Sequence, residues 1–542
     1  MEQKRRTPLG IELVRRGLIT EDDISIAINY QKEHPNKKIG DILNILKLCD
    51  SKLLLDAMGE IMGEKTILLR QQDLKINPLD YVSSDVAKKN KAIPFEITGG
   101  KIKVCFADSS DRKAIETIKL ILLNKGLIMD RYISFESNVD FVLRSFEGVA
   151  DDNININKDT IGLVDSIIKT AMEKRASDIH FEPSEKNIRV RYRIDGELIN
   201  ITNIPKEKQE QITGRIKAIS NMHQEKQEAQ DGRIVLYPDY NIRVSTQKNI
   251  YGEKIVLRLL KKNLDIKRIF ELGFPNDDKL IKKCFNKRNS IVIVAAPTGE
   301  GKTTTLYSII DYLDSPHVNI TTIEDPVEIR IPTLNQIEID AKTTFSDSLR
   351  TVLRQDPDII LVGEIRDNET AEIAMQAGQT GHYVLSTIHT IDSIEVITRL
   401  RKLGVSNFDI ASTLATSISQ RLVRKICPHC AKKREFTEEE KKIITEAGQK
   451  YGEEFDFKDK FTYEVIGCQE CNNTGYYDRI GVFETLLIDD CIKEEIVKNA
   501  SSFEIRKVAL QNGYKPLVID GLNKVLNGIT TLDELNKKLV IF

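Results

Sequence analysis

At 542 residues the chain has room for three or four domains, each with enough mass to bury its own core. Its 80 Lys and Arg stand against 82 Asp and Glu, so no global field draws it to nucleic acid or to an anionic membrane. No apolar run approaches membrane-spanning length, and the opening MEQKRRTPLG lacks the apolar core of a signal peptide; a soluble, intracellular chain is expected.

Residues 9–28 and 39–58 repeat at an offset of thirty. Leu9-Gly10 matches Ile39-Gly40, Leu13 matches Leu43, Leu18 matches Leu48, Ile24 matches Leu54 and Ala27 matches Ala57. Each half predicts two short amphipathic helices with a polar cap between them, Thr20-Glu21-Asp22-Asp23 in the first. On pattern alone, residues 1–70 make a small helical docking domain. Residues 71–147 alternate strand-like and helix-like runs (Ile102–Phe106, Ala114–Leu123) and predict a compact α+β module without chemistry of its own. The polar stretch GVADDNININKD, 148–159, is expected to be a linker.

Residues 160–265 begin with a helix near Ile161–Arg175, followed by SDIHFEP and NIRVRYRIDGELIN. In the latter, Ile188, Val190, Tyr192 and Ile194 fall on one strand face, with Arg189, Arg191 and Arg193 on the other. Asp195-Gly196 is a hairpin turn, and a second alternating pair carries Arg243 and Arg258. Such arginines either pair with acids on a solvated face or together aim positive charge at a phosphate, in the same subunit or across a subunit boundary.

The last domain, 266–542, is organised around IVIVAAPTGEGKTTT, 291–305. Ile291–Ala295 predicts a strand buried on both faces; Thr298, Gly299 and Gly301 then turn the chain into a helix opened by Lys302, Thr303 and Thr304. Glycines let several N–H groups converge where the helix N-terminus also points, a cradle for a nucleotide's β-phosphate. Lys302 would reach the β/γ-phosphates and Thr303 would ligate Mg²⁺. Ala296 stands where the motif has glycine, and Glu300 adds a carboxylate nearby. Downstream, the strand of VNITTIEDPVEI ends in Glu324 and Asp325, with Glu328 beyond, where metal and water would be held. Ile359–Val362 is another buried strand, expected to flank the phosphate loop, and Glu364 just past it suits the orientation or deprotonation of an attacking water. GHYVLSTIHT adds a strand with His382 before it and Ser386, Thr387 and His389 at its far end; His389 is expected to sense the γ-phosphate.

Cys427-Pro-His-Cys430 and Cys468-Gln-Glu-Cys471 offer four sulfurs from two knuckles, the donor set of a closed, structural Zn²⁺ site. The 37 residues between the pairs predict a helix, Glu438–Ala447, protruding as a hairpin within an insertion at about 425–480. His429 is not expected to be a ligand.

Two resemblances add to this reading. LGIELVRRGLITEDDISIAINYQ is similar to the N-terminal cyclic-di-GMP-binding module of some secretion ATPases, although Pro8 replaces the usual arginine and Lys47 stands where the first repeat has Gly17. From about 160 to 540 the chain resembles the type II secretion and type IV pilus assembly ATPases, through ASDIHFEP, VRYRIDG, PTGEGKTTTLY, TTIEDPVE, LRQDPDIILVGEIRD, GHYVLSTIHT and the cysteine pairs with CNNTGYYDRIGVFE. The resemblance implies an α/β fold with a RecA-like P-loop motor domain preceded by a PAS-like α+β domain, acting as a homo-hexamer. It implies an ATPase that drives pilin addition through an inner-membrane platform protein, from the cytoplasmic face of the membrane. It makes Glu364 the catalytic glutamate and places Glu324 and Asp325 in an acidic box, with His382 and His389 in a histidine box. Arg193, Arg243 and Arg258 become candidates for neutralising phosphate charge, and the long N-terminal region matches extension motors. A pseudopilus ATPase and a weakly hydrolysing, nucleotide-gated scaffold are the alternatives. A nucleic-acid translocase is disfavoured by the near-neutral charge.

Overall fold

A computed structural model describes residues 9–33, 38–46, 48–49, 51–69, 73–147, 154, 159–262, 266–285, 289–340, 342–468, 470–472 and 474–539. Pro8, Lys47 and most of the expected linker 148–159 lie outside the described residues. The chain divides into two compact units, residues 1–237 with 242–259, and residues 238–241 with 260–542.

In the first unit the thirty-residue repeat forms four helices, Leu9–Arg15, Glu21–Glu33, Ile39–Ile45 and Ser51–Met62. The matched apolar positions Leu13, Leu43, Leu54, Ala27 and Ala57 are buried together. Thr20 and Asp23 exchange hydrogen bonds between side chain and backbone, closing the predicted cap. Gly40 permits close helix approach, since a β-carbon there would stand 2.8 Å from Met58. Residues 65–133 build a four-stranded sheet in the order 65–66, 128–133, 101–106, 92–98, covered by the helices Arg112–Leu123 and Glu136–Glu147. Residues 178–261 build a six-stranded antiparallel sheet in the order 197–205, 187–194, 178–183, 252–261, 240–249, 230–234. Its alternation is as the sequence predicts: Ile188, Val190, Tyr192 and Ile194 are buried.

The second unit holds a seven-stranded sheet whose strands are numbered here within it: β1 (Ser290–Ala295), β2 (Ile320–Glu324), β3 (Asn335–Glu338), β4 (Ile359–Val362), β5 (Tyr383–Ile388), β6 (Leu414–Ile426) and β7 (Tyr476–Leu487). The order is β3-β2-β4-β5-β1-β6-β7, parallel except for β7. Helices cover both faces, which is why β4 and, after Ser290, β1 are continuous apolar runs. Along β1, Ile291, Ile293 and Ala295 enter one core layer, while Val292 and Val294 enter the other. Each of the buried Ile and Val side chains contributes roughly 1.5–3 kcal/mol. The helix α1 (Lys302–Leu313) follows β1, and the chain crosses from there to β2, leaving β1 between β5 and β6. A strand order that jumps in this way opens a crevice at the carboxyl ends of the strands.

One neighbour differs from expectation. β4, which carries Glu364 just past its end, does not flank β1; β5 lies between them. Both β4 and β5 are fully buried strands, and burial alone does not rank them by distance from β1 in the sequence. The helix between the cysteine pairs, Glu438–Gln449, does not protrude either: Ile444 and the preceding Phe436 are buried in one cluster with Leu522, Val525 and Leu535.

Candidate nucleotide site and cysteine cluster

Gly299 and Gly301 both sit at φ +82°, left-handed backbone in which a β-carbon is costly. An added β-carbon at Gly299 would meet nothing within 4 Å, so the front of the loop is open. α1 starts at Lys302 with no side chain capping its first turn, which leaves its leading N–H groups for an anion.

Lys302 Nζ folds back to donate to the carbonyls of Ala296 at 2.7 Å and Pro297 at 3.3 Å. It also stands 3.3 Å from His389 Nδ1. An ammonium only donates, so Nδ1 is the acceptor and the imidazole holds its proton on Nε2. That nitrogen faces Glu364 Oε2 at 3.4 Å. Burial pulls the Lys302 pKa below its ordinary value, against the charge of Glu364. Burial, then the charge of Lys302, holds His389 below its ordinary value, which keeps it neutral. Arg366 completes the row by pairing with Glu364, and the charge of Asp325 also acts on it.

The neighbouring strand sets these positions. Ser386 of β5 donates to the carbonyl of Val362 at 2.7 Å and Thr387 to that of Gly363 at 2.8 Å, fixing the turn that presents Glu364. Arg421 of β6, which is buried, donates to the carbonyl of Ile391 at 2.6 Å and so anchors the loop that follows His389. His382 instead turns back to the carbonyl of Ala377 at 3.1 Å, which caps the preceding helix.

The acids after β2 separate. Glu324 is only 4% exposed and accepts hydrogen bonds from Tyr307, from Thr322 at 2.6 Å and from Gln336 at 3.3 Å. Its carboxylate ties α1, β2 and β3 together. Asp325, one residue on, is exposed. Glu300 does not hang free beside the loop, because its carboxylate accepts the Leu422 N–H at 2.6 Å. Sequence reasoning missed Arg366, Gln420 and Arg421. The first had a signal, a cation two residues past a candidate catalytic acid; the other two lie in β6, LATSISQRLVRKI, whose mixture of polar and apolar residues does not mark any one of them out.

The three candidate arginines lie in the six-stranded sheet of the other unit. Arg258 Nε donates to Asp178 at 2.9 Å, and Arg193 lies 3.6 Å from the same carboxylate while donating to the Gly196 carbonyl at 2.9 Å. Arg243 Nε is buried without a hydrogen-bond partner among the described residues. Beside them, Glu182 gathers Arg189, Arg191 and Lys254. Burial alone would raise its pKa, but Arg191 and then Lys254 bring it down to about 2.

The four cysteines converge, with all their sulfurs within 4.8 Å of one another. Cys427–Cys468, Cys430–Cys471 and Cys468–Cys471 are 3.9, 3.8 and 3.7 Å apart. Zinc–sulfur bonds of about 2.3 Å in a tetrahedron give sulfur–sulfur edges of about 3.8 Å, so the cluster fits that ion. The N–H groups of Cys468 and Gly475 donate to Cys471 Sγ at 3.1 and 3.2 Å, and hydrogen bonds, first from Cys430, hold this thiol down to about 5. His429 lies outside the cluster, edge-on to Tyr477.

The family profile described as "Type II/IV secretion system protein" matches residues 155–537, and that described as "MshEN domain" matches residues 62–151. The second match covers the α+β module, where no chemistry was expected, and not the helical repeat on which the cyclic-di-GMP resemblance rests. The type IV pilus assembly ATPase PilB of Myxococcus xanthus is 34% identical over 97% of this chain and 98% of its own length. PilB of Pseudomonas aeruginosa is 33% identical over 98% of each. The type II secretion system ATPase E of Vibrio cholerae is 38% identical over 69% of this chain and 74% of its own. Among solved structures, the Legionella pneumophila ATPase DotB has a TM-score of 0.52 at 21% identity, covering 71% of this chain and 99% of that one, a likeness of fold. Among the described residues no helix is long and apolar enough to cross a membrane. With a phosphate loop, a lysine and a glutamate meeting across one histidine, and matches that run nearly end to end, the chain is an ATPase belonging to the type II/IV secretion system protein family.

Proposed function

We propose that this chain hydrolyses ATP to extend a type IV pilus, with the chemistry at the carboxyl ends of β1, β4 and β5. The observation that supports this most is the row Lys302–His389–Glu364, drawn from three separate segments and linked at 3.3 and 3.4 Å. The triphosphate lies against the loop at Thr298, Gly299 and Gly301 and the first turn of α1, with Thr304 beside it. Lys302 exchanges the carbonyls of Ala296 and Pro297 for phosphate oxygens. The Thr303 hydroxyl would hold Mg²⁺, which supplies charge neutralisation when bound. Glu364 takes the proton of a water whose oxygen attacks the γ-phosphorus; the bond from that phosphorus to the β–γ bridging oxygen breaks and ADP leaves. Neutral His389, between Lys302 and Glu364, reports γ-phosphate to the base, and exposed Asp325 lies on the metal side. Arg193, Arg243 and Arg258 are the candidates for further neutralising that charge.

The architecture in this reading is a RecA-like motor domain with a PAS-like domain before it, arranged as a homo-hexamer at the cytoplasmic face of the inner membrane. There it acts on pilin through a platform protein. Cys427, Cys430, Cys468 and Cys471 hold a structural Zn²⁺ with no open position. The N-terminal region binds cyclic-di-GMP, and calorimetry on the full chain tests this. A type II secretion pseudopilus is the second reading, favoured by the likeness to the Vibrio cholerae protein. Replacing Glu364 with Ala tests the core of the proposal: steady-state phosphate release is expected to disappear while binding of a non-hydrolysable ATP analogue persists. Turnover that survives the substitution removes Glu364 from the mechanism.

A further inference from the structure

β6 runs beside the phosphate loop and grips it from behind. Gln420, 1% exposed, accepts a hydrogen bond from Thr305 Oγ1 of α1 at 2.7 Å and donates through Nε2 to the carbonyl of Glu300 at 2.5 Å. A carbonyl only accepts, which fixes the orientation of the amide. Two residues along, the Leu422 N–H holds the Glu300 carboxylate at 2.6 Å. A β-carbon on Gly301 would stand 3.3 Å from Gln420 Nε2 and 3.5 Å from Leu422 Cδ1, so the strand also fills the space behind that glycine. In a planar trans peptide the C=O and the following N–H point in opposite directions. Drawing the Glu300 carbonyl back onto Gln420 therefore turns the Gly301 N–H away from β6, toward the open front of the loop.

We propose that Gln420 and Glu300 are positioning residues for ATP: together they lock the 300–301 peptide so that the Gly301 N–H faces the phosphates. The inference rests on the reading of this loop as the ATP site. It also gives the carboxylate of Glu300 a role that requires no contact with nucleotide.

The test uses the full chain with Mg·ATP. Gln420→Glu keeps the size of the side chain and its acceptor for Thr305, but at high pH sets a carboxylate against the Glu300 carbonyl. At pH 8.5 the KM for ATP is expected to rise about tenfold, the worth of one hydrogen bond, with kcat within about threefold of the parent. Burial at this position raises the pKa of the introduced acid above the ordinary glutamate value, so as the pH falls to 6 it takes up a proton and can donate again, and its KM returns toward that of the parent protein measured at the same pH. A merely structural defect has no such recovery. Should Gln420→Glu fail to fold, Thr305→Val releases the amide from its other side and is expected to raise KM without recovery at low pH. An unchanged KM, or a loss equal at every pH in Gln420→Glu, overturns the proposal. Lys302→Ala separates the two levels: if it abolishes nucleotide binding while Gln420→Glu leaves KM untouched, only the brace fails. If Lys302→Ala leaves binding intact, the ATP site itself is misplaced.

Discussion

Two places in the second unit gather side chains from distant segments, and they are built on opposite terms. The four cysteines are turned on one another at the edge lengths of a tetrahedron, with two backbone N–H groups already directed at Cys471 Sγ. Lys302, His389 and Glu364 meet at 3.3 and 3.4 Å, and Lys302 is otherwise satisfied by loop carbonyls. The first is a closed set that suits one ion and nothing further. The second is held together by contacts that a substrate can replace. Closure marks a structural role, and exchangeable contacts mark a chemical one.

The sharpest way to break that comparison is at Glu364. If its carboxylate is the base, Glu364→Gln is expected to lower kcat by about 10²- to 10⁴-fold, read by phosphate release, with analogue affinity held within a few-fold. The cysteine cluster predicts the reverse profile. Cys430→Ser is expected to lose bound zinc, measured by elemental analysis, and to lower Tm by about 10 °C, given that each kcal/mol moves a domain of this size by about 2–4 °C. Turnover per folded chain should barely change. A cysteine variant that folds normally yet loses turnover would erase the distinction.

The two sites were also legible to different degrees. The cysteine pairs and the Gly-Lys-Thr loop are local signals, and the folded chain places them where their spacing demands. Glu364 was legible because a buried run followed by an acid names the carboxyl end of a strand. Its distance from the loop was not, because strand order depends on crossovers that no local pattern encodes. Gln420 was invisible for the same reason: it meets Glu300 across 120 positions, through the register that sets Ala295 beside Ser419. Glu324 shows how a correct location can mislead about role, since acids at strand ends either reach solvent or, as here, are covered, by Tyr307, Thr322 and Gln336. In the arginine sheet the partners were within reach of pattern reasoning, because Asp178 and Glu182, four residues apart, fall on one face of the strand beside Arg193 and Arg189.

His389 sharpens the open site further. Lys302 requires Nδ1 as an acceptor, and burial together with the Lys302 charge lowers the imidazole's pKa. The folded protein thus favours the neutral ring, and proton uptake as the pH falls removes the acceptor that Lys302 faces. kcat/KM is expected to be full near neutrality and to fall on an acid limb below about 6.5, the ordinary histidine value. His389→Asn offers Oδ1 in place of Nδ1 but cannot take up the proton, so it should lower kcat/KM overall and flatten that limb. An acid limb unchanged in this variant assigns the titration to another group.

The smallest effect is expected from Arg258, and it discriminates through its size. Its guanidinium is 62% exposed on the side chain and pairs with Asp178, itself buried and shared with Arg193. Exposed pairs of this kind contribute about 0.2–1 kcal/mol, so on pairing alone Arg258→Ala moves Tm by no more than a few degrees and leaves kcat alone. Were the arginine to face phosphate charge during hydrolysis, the same substitution would spare Tm and lower kcat by tenfold or more, and Arg258→Lys would restore only part of it, because a point charge does not replace a planar fork. Asp178→Asn then completes the contrast: it weakens the pair without removing the cation, so it should lower stability in either case and affect turnover only if the carboxylate is what keeps Arg258 in position.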